Sequence, residues 1–264
     1  MNFMQLPTLP SQPLETLVSG YSATSIFRTI GFIGDSLLSG EIELLEPDGS
    51  RSYHDFYEHS WGNYIARKNG QRACVFARGG MTAREYMQSF ADEIGAWEKA
   101  KACQAYVIAL GANDLGANHQ QAVGAVCDIA PDDWRKNGES FLGYYAQIVA
   151  RLKQDVQPDA KFFFVSMPRR NSDYDTLVAQ PHREAMYALA AHFENCYVID
   201  LYQYSPVYDA AFHEQYFLNG HLTAAGYLLT AQLIDSYIDW IVRANPGDFR
   251  YASLIGTDVA IPKE

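Results

Sequence analysis

The chain is short of positive charge. Its 264 residues carry 20 Lys and Arg against 31 Asp and Glu, a formal net charge of −11. No basic run exceeds the pair Arg169-Arg170. The basic face that a nucleic-acid or anionic-membrane partner needs is therefore missing, and neither partner is expected. Cysteine is also scarce. Cys74, Cys103, Cys127 and Cys196 show no CxxC spacing, and Cys74, Cys103 and Cys196 lie in or beside apolar runs. Buried free thiols are expected there, not a zinc site or a disulfide framework. Outside one histidine discussed below, His54, His59, His119, His182, His192 and His213 lack metal-ligand spacing. No metal and no cofactor are expected. No apolar segment is long enough to span a bilayer. Residues 1–25 show no basic stretch followed by an apolar one, and Arg28 is the first base. A cytoplasmic location is the resulting expectation. Internal repeats and low-complexity tracts are absent as well.

What is present is ample core material, 48% hydrophobic. The length suits one domain over 1–264, with a core at about 28–243 and extensions at 1–27 and 244–264. Five apolar runs, 28–34, 72–77, 105–110, 160–166 and 195–200, are short, rich in Val, Ile and Phe, and end in turn residues. They read as buried strands. Helical patterns lie between them: Phe56–Lys68, Thr82–Ala102, Phe141–Lys153, Leu177–Phe193 and Ala224–Val242. Ser140 and Thr223 are candidate N-caps. Strand and helix in alternation imply right-handed crossovers and a parallel sheet. The fold class is α/β: a flavodoxin-like three-layer α/β/α sandwich, five parallel strands in the order 2-1-3-4-5. Its switch point lies between the first and third strands, where ligands bind. Leu38–Asp55 reads as a polar loop turning at Pro47-Asp48-Gly49. Gly116–Gly138 is long and mixed, with Trp134 and a candidate short helix, Pro206–Gly220 is aromatic and leads into His221, and all three could wall a pocket. The tail after Asn245 is expected to wrap the surface.

The chemistry-bearing residues sit at the ends of those strands. Gly34-Asp35-Ser36-Leu37 follows the first, and Gly111-Ala112-Asn113-Asp114 the third. His221, in Asn219-Gly220-His221-Leu222-Thr223, precedes the last helix. Acyl transfer needs a nucleophile, a base and oxyanion donors. Ser36 is the candidate nucleophile and His221 its base. The candidate donors are the Ser36 backbone N–H, the Asn113 amide, and an N–H from the turn after the second strand, Ala77-Arg78-Gly79-Gly80-Met81-Thr82. Asp35 and Asp114 are expected to brace their turns.

In order and spacing these motifs resemble the GDSL, or SGNH, hydrolase family from about residue 28 to 243. The resemblance implies a serine esterase with Ser36 as nucleophile, His221 as base, and an oxyanion hole of Ser36, Gly80 and Asn113. Gly79 is a rival for Gly80; Gly80 is preferred because it stands two residues before Thr82. One position departs from the pattern. The family places an aspartate three residues before the histidine, and here that residue is Leu218. The backbone carbonyl near Leu218 could orient the ring, or Asp209 or Glu214 could fold back onto it. The expected function is hydrolysis of short acyl esters through an acyl-enzyme, with an O-acetylated carbohydrate as substrate, since the loops are rich in Tyr and Trp. A catalytically silent binding domain is the alternative, supported by Leu218. A flavin-binding reading fits worse, because Asp35 stands where a phosphate would sit.

Overall fold

The computed structural model describes residues 9–116 and 119–262. Five of its strands form one parallel sheet: β1 (Thr29–Gly34), β4 (Arg72–Ala77), β5 (Ala105–Ala109), β6 (Lys161–Val165) and β7 (Cys196–Ile199). The spatial order is β4-β1-β5-β6-β7, which is 2-1-3-4-5 for these five taken along the chain. Each strand lies within about one residue of its apolar run.

Alternation along the strands splits the core into two layers. Ile33, Tyr106, Ile108, Phe162 and Phe164 face one side, against α2 (Phe141–Arg151) and α3 (Gln180–His192). Ile30, Phe32, Val107, Phe163 and Val165 face the other, against α1 (Trp61–Asn69) and α5 (Ala224–Ala244). Phe162, Phe163 and Phe164 are all fully buried, each worth about 1.5–3 kcal/mol relative to exposure. Ser140 accepts from the Gly143 N–H at 3.1 Å and Thr223 from the Gly226 N–H at 3.2 Å, capping α2 and α5 as expected. The tail after Asn245 packs back on the sheet: Gln104 donates to the carbonyls of Ala252 and Ile255.

The stretch read as a polar loop is different. Glu41–Leu45 (β2) and Arg51–Asp55 (β3) form an antiparallel hairpin around the Pro47-Asp48-Gly49 turn, with Glu43 opposite Tyr53 and Glu41 opposite Asp55. The pattern was hidden because β2 turns its acids inward. Glu41 and Glu43 are buried, while Leu44 and Leu45 are exposed. The Pro206–Gly220 segment holds a short helix, α4 (Ala210–Tyr216), and a two-residue strand β8 (Phe217–Leu218). β8 pairs with β9 (His221–Leu222) across Asn219-Gly220. Asn219 takes a positive φ of 55° there, as a tight Asn-Gly hairpin turn requires.

Candidate active site

Three turns at the carboxyl edge of the sheet build the site. In the first, Asp35 follows β1 and caps a single helical turn, Ser36–Ser39, by accepting from the Leu37 N–H at 3.1 Å. That fixes Ser36 at the start of the turn, half-buried. Gly40, at φ 75°, stops the turn and sends the chain directly into β2. In the second, Gly80 has a φ of 72° and open space where a Cβ would be. The third carries Asn113, whose Nδ2 donates to the Met81 carbonyl at 3.1 Å and to Asp35 Oδ2 at 3.4 Å. Asp114 ties the second and third turns together, because its Oδ1 accepts from the Ala83 N–H at 2.9 Å. Ser36, Asn113 and His221 thus meet at the switch point, and all three line one cavity of about 310 Å³. Neither Gly79 nor Gly80 lines it.

His221 Nε2 lies 3.0 Å from Ser36 Oγ. Its Nδ1 lies 3.1 Å from Glu43 Oε2. The carboxylate that meets the ring therefore comes from β2, not from the residues considered in the sequence. Asp209 is occupied in capping α4, accepting from the Phe212 N–H at 3.1 Å. Glu214 is exposed on that helix. Leu218 is the backbone partner of His221 in the β8–β9 pair, its side chain 40% exposed.

Glu43 is held from several sides. Its Oε2 also accepts from the Gly220 N–H at 2.8 Å, and its backbone carbonyl accepts from Asn219 Nδ2 at 2.9 Å. Arg51 pairs with its other oxygen. Burial pushes the Glu43 carboxyl upward, but the Gly220 N–H, Arg51 and His221 outweigh it and leave it below the ordinary range. An ionised Glu43 can only accept, so the Nδ1 facing it carries the proton. With its proton on Nδ1, the neutral form of the ring is the one that presents a lone pair at Nε2 toward Ser36.

A second glutamate is also present. Glu41 Oε1 lies 2.9 Å from His221 Nε2, the same nitrogen that faces Ser36. Two glycines make room for the two acids. A Cβ at Gly79 would collide with the Glu41 carboxyl, and one at Gly220 with that of Glu43. The sequence did hold a signal for this pair: acids at alternate positions in Glu41-Ile42-Glu43, which a strand places on one face. Inward-facing acids run against the usual alternation, which hides that signal.

The carboxyls at the sheet edge behave differently. Burial raises Asp35 to about 6 and Asp114 to about 7. His182, buried beneath the third turn with Nε2 2.9 Å from the Leu110 carbonyl, is pushed down to about 4 and stays neutral. Tyr53, on β3, sets its ring edge-on to the His221 ring with centroids 6.0 Å apart, and is 54% exposed. Among the described residues no group of His, Cys, Asp and Glu is arranged to hold a metal ion, and no helix is long and apolar enough to cross a membrane.

No curated protein matches the chain by sequence. Solved structures do match its fold. A family two carbohydrate esterase from Clostridium thermocellum, in complex with cellohexaose, aligns with a TM-score of 0.55 at 17% identity. The alignment covers 84% of this chain and 65% of that one, so the chain spans just under two thirds of that relative. A carbohydrate esterase family 2 enzyme with a carbohydrate-binding domain, from Corynascus thermopiles, gives 0.56 at 16% identity, over 83% and 67% of the two chains. A carbohydrate acetylesterase from Sinorhizobium meliloti gives 0.50 at 14%, over 81% and 99%. At these identities the likeness is one of fold. The family profile is more specific, matching residues 32–229 and so spanning the first turn, the third turn and His221. The chain belongs to the GDSL-like Lipase/Acylhydrolase family.

Proposed function

We propose that this protein is a serine ester hydrolase working through an acyl-enzyme, with a short acyl group on a carbohydrate as its substrate. The observation that carries the reading is the continuous line from Ser36 Oγ through the His221 ring to Glu43, with steps of 3.0 and 3.1 Å. In this reading His221 Nε2 takes the Ser36 hydroxyl proton as Oγ attacks the ester carbonyl carbon. The same proton passes to the departing alkoxide. Water then repeats the cycle on the acyl-enzyme. Glu43 keeps the proton on Nδ1 and stabilises the imidazolium as it forms. The oxyanion sits among the Ser36 N–H, the Gly80 N–H and the Asn113 amide. The Asn113 contact to Asp35 is the longer of its two, so it is the one an oxyanion can displace.

The acyl group enters the cavity beside Ser36, whose inner wall includes the buried side chains of Leu38, Leu201 and Leu222. The sugar reading rests on Tyr53, a half-exposed ring next to His221, and on the carbohydrate esterases of the same fold. The silent-domain alternative depended on the missing acid at 218. Glu43 offers a carboxylate to the same ring nitrogen, which removes that support.

The test is hydrolysis of p-nitrophenyl acetate and butyrate by the protein and by Ser36→Ala. A fall of at least about a thousandfold is expected in the variant. A fluorophosphonate probe should label the parent protein at Ser36. Equal rates in the two proteins, with no labelling, would remove the esterase reading.

A further inference from the structure

We propose that Arg170 is a specificity-determining residue and that the ester substrate carries a carboxylate, which the Arg170 guanidinium binds. The proposal rests on the serine-esterase reading above and names a chemical class for the substrate of that same site.

The pair Arg169-Arg170, the longest basic run in an acidic chain, stands shortly after β6 in Ser166-Met167-Pro168-Arg169-Arg170. Arg170 lines the cavity that Ser36, Asn113 and His221 also line. Arg169 does not line it; its guanidinium stands over the Tyr202 ring, 5.8 Å from the centroid. In the sheet, β5 alone separates β6 from β1. The two strand ends are therefore about 10 Å apart along the edge, the reach of a sugar ring with its substituent.

The loop holds this guanidinium in place and leaves it without a counter-charge. Both oxygens of Asp175 are committed to backbone: Oδ1 accepts from the Arg170 N–H at 2.7 Å and Oδ2 from the Asn171 N–H at 3.0 Å. Asn171 turns the chain with a φ of 54°. The guanidinium lies over the Tyr174 ring, 4.0 Å from its centroid, and the Tyr174 hydroxyl donates to Met167 Sδ at 3.0 Å. Across the rim, Asp209 is taken up in capping α4. Among the described residues no carboxylate lies within ion-pair distance of the Arg170 guanidinium. The arginines around the other turns are paired: Arg51 with Glu43, Arg78 with Glu85, and Arg183 with Asp200. Burial first, and then the Arg170 charge, hold His213 of α4 below its ordinary range, so that charge is felt across the rim.

Charge in the cavity is thus sorted by side. Glu41 and Glu43 stand at the His221 end, and Arg170 stands at the β6 end. An anionic substrate is repelled from the first and drawn to the second, which aligns its ester carbonyl over Ser36 in one direction. A guanidinium stacked by its face on Tyr174 still offers the N–H donors of its edge, and these match a carboxylate two at a time.

The test is inhibition of p-nitrophenyl acetate hydrolysis, at low salt, by two matched pairs of small molecules. Glucuronate against glucose places the carboxylate on a sugar. Succinamate against butyramide places it at the far end of an acyl group. In at least one pair the anion should inhibit at about a tenfold lower concentration than its neutral partner. Arg170→Gln should bring that ratio to about one, and Arg170→Glu should invert it, with thermal melts to check that both variants fold. The pair that responds shows which half of the ester bears the carboxylate. Equal inhibition within both pairs by the parent protein, or a preference that survives Arg170→Gln, overturns the proposal. If p-nitrophenyl acetate is not cleaved and the fluorophosphonate probe labels nothing, the esterase reading fails instead. Saturation-transfer NMR of the same pairs, on the parent protein and on Arg170→Gln, then reads carboxylate binding without turnover, so the two failures are distinct.

Discussion

Four carboxyls crowd this site, two on the sheet edge and two on the hairpin, and one of them differs from the other three. Asp35 and Asp114 belong to the sheet edge. Each accepts a backbone N–H, from Leu37 and Ala83, and burial raises them to about 6 and about 7. They shape the turns that present Ser36 and Asn113. Glu41 and Glu43 belong to the β2–β3 hairpin, and both meet one imidazole. Of the four, Glu43 alone is drawn below the ordinary range, because a guanidinium, a backbone N–H and a histidine converge on it. One backbone N–H does not offset burial at Asp35 or Asp114; a guanidinium and a histidine added to a backbone N–H do so at Glu43. The sheet edge thus supplies placement, and Glu43 on the hairpin supplies charge.

The sharpest way to break that division is at Glu43. Glu43→Gln keeps the volume and removes the charge. If the hairpin supplies the orienting anion, kcat should fall by about 10³–10⁴ with a much smaller change in KM. Steady-state kinetics on p-nitrophenyl acetate reads this directly. A loss below tenfold would make Glu43 a packing residue, and the ring would then be oriented by its own β8–β9 hairpin.

The same division explains what could be seen in the sequence. The sheet edge was legible because burial wrote it twice: apolar runs of strand length, and small turn residues after them. Ser36 and Asn113 follow from that pattern, and the strand order brings them to one edge; His221 follows from its place ahead of the last helical pattern. The β2–β3 hairpin was not legible. Its inward residues are Glu41 and Glu43 and its outward ones include Leu44 and Leu45, the reverse of an amphipathic strand. Only the charge-compensating partners, Arg51 across the hairpin and His221 far along the chain, make that inversion stable. Such long-range pairing leaves no local period. Leu218 points to the wrong neighbourhood for the same reason: the acid in contact with His221 lies on a strand near the start of the chain, far from it in sequence.

A second, smaller perturbation belongs to the sheet edge. Asn113→Ala removes one proposed oxyanion donor and leaves the Ser36–His221–Glu43 line untouched. The expected loss is about 10²-fold in kcat, since one such donor is worth about 3 kcal/mol in the transition state. The rate of fluorophosphonate labelling should fall with it, because that reaction also builds charge on an oxygen. Equal rates in the parent and the variant would take Asn113 out of the oxyanion hole and leave it as a brace on Met81.

The smallest effect concerns stability and not rate. Asp114 is fully buried, its Oδ2 has no hydrogen-bond partner, and desolvation raises it to about 7. Between the ordinary value of 3.8 and about 7 the folded protein therefore binds more protons at this site than the unfolded chain does. Stability from this group is present at low pH and is lost as pH rises through that window. Asp114→Asn keeps an oxygen to accept from Ala83 and removes the titration. The variant should gain about 2 kcal/mol more at pH 8 than at pH 5, relative to the parent, in urea unfolding at the two pH values. A gain that is the same at both would mean that Asp114 is ionised throughout. Buried acids at the sheet edge and on the hairpin would then be held alike, as anions, and the contrast between the two regions would reduce to which backbone or side-chain donors each one meets.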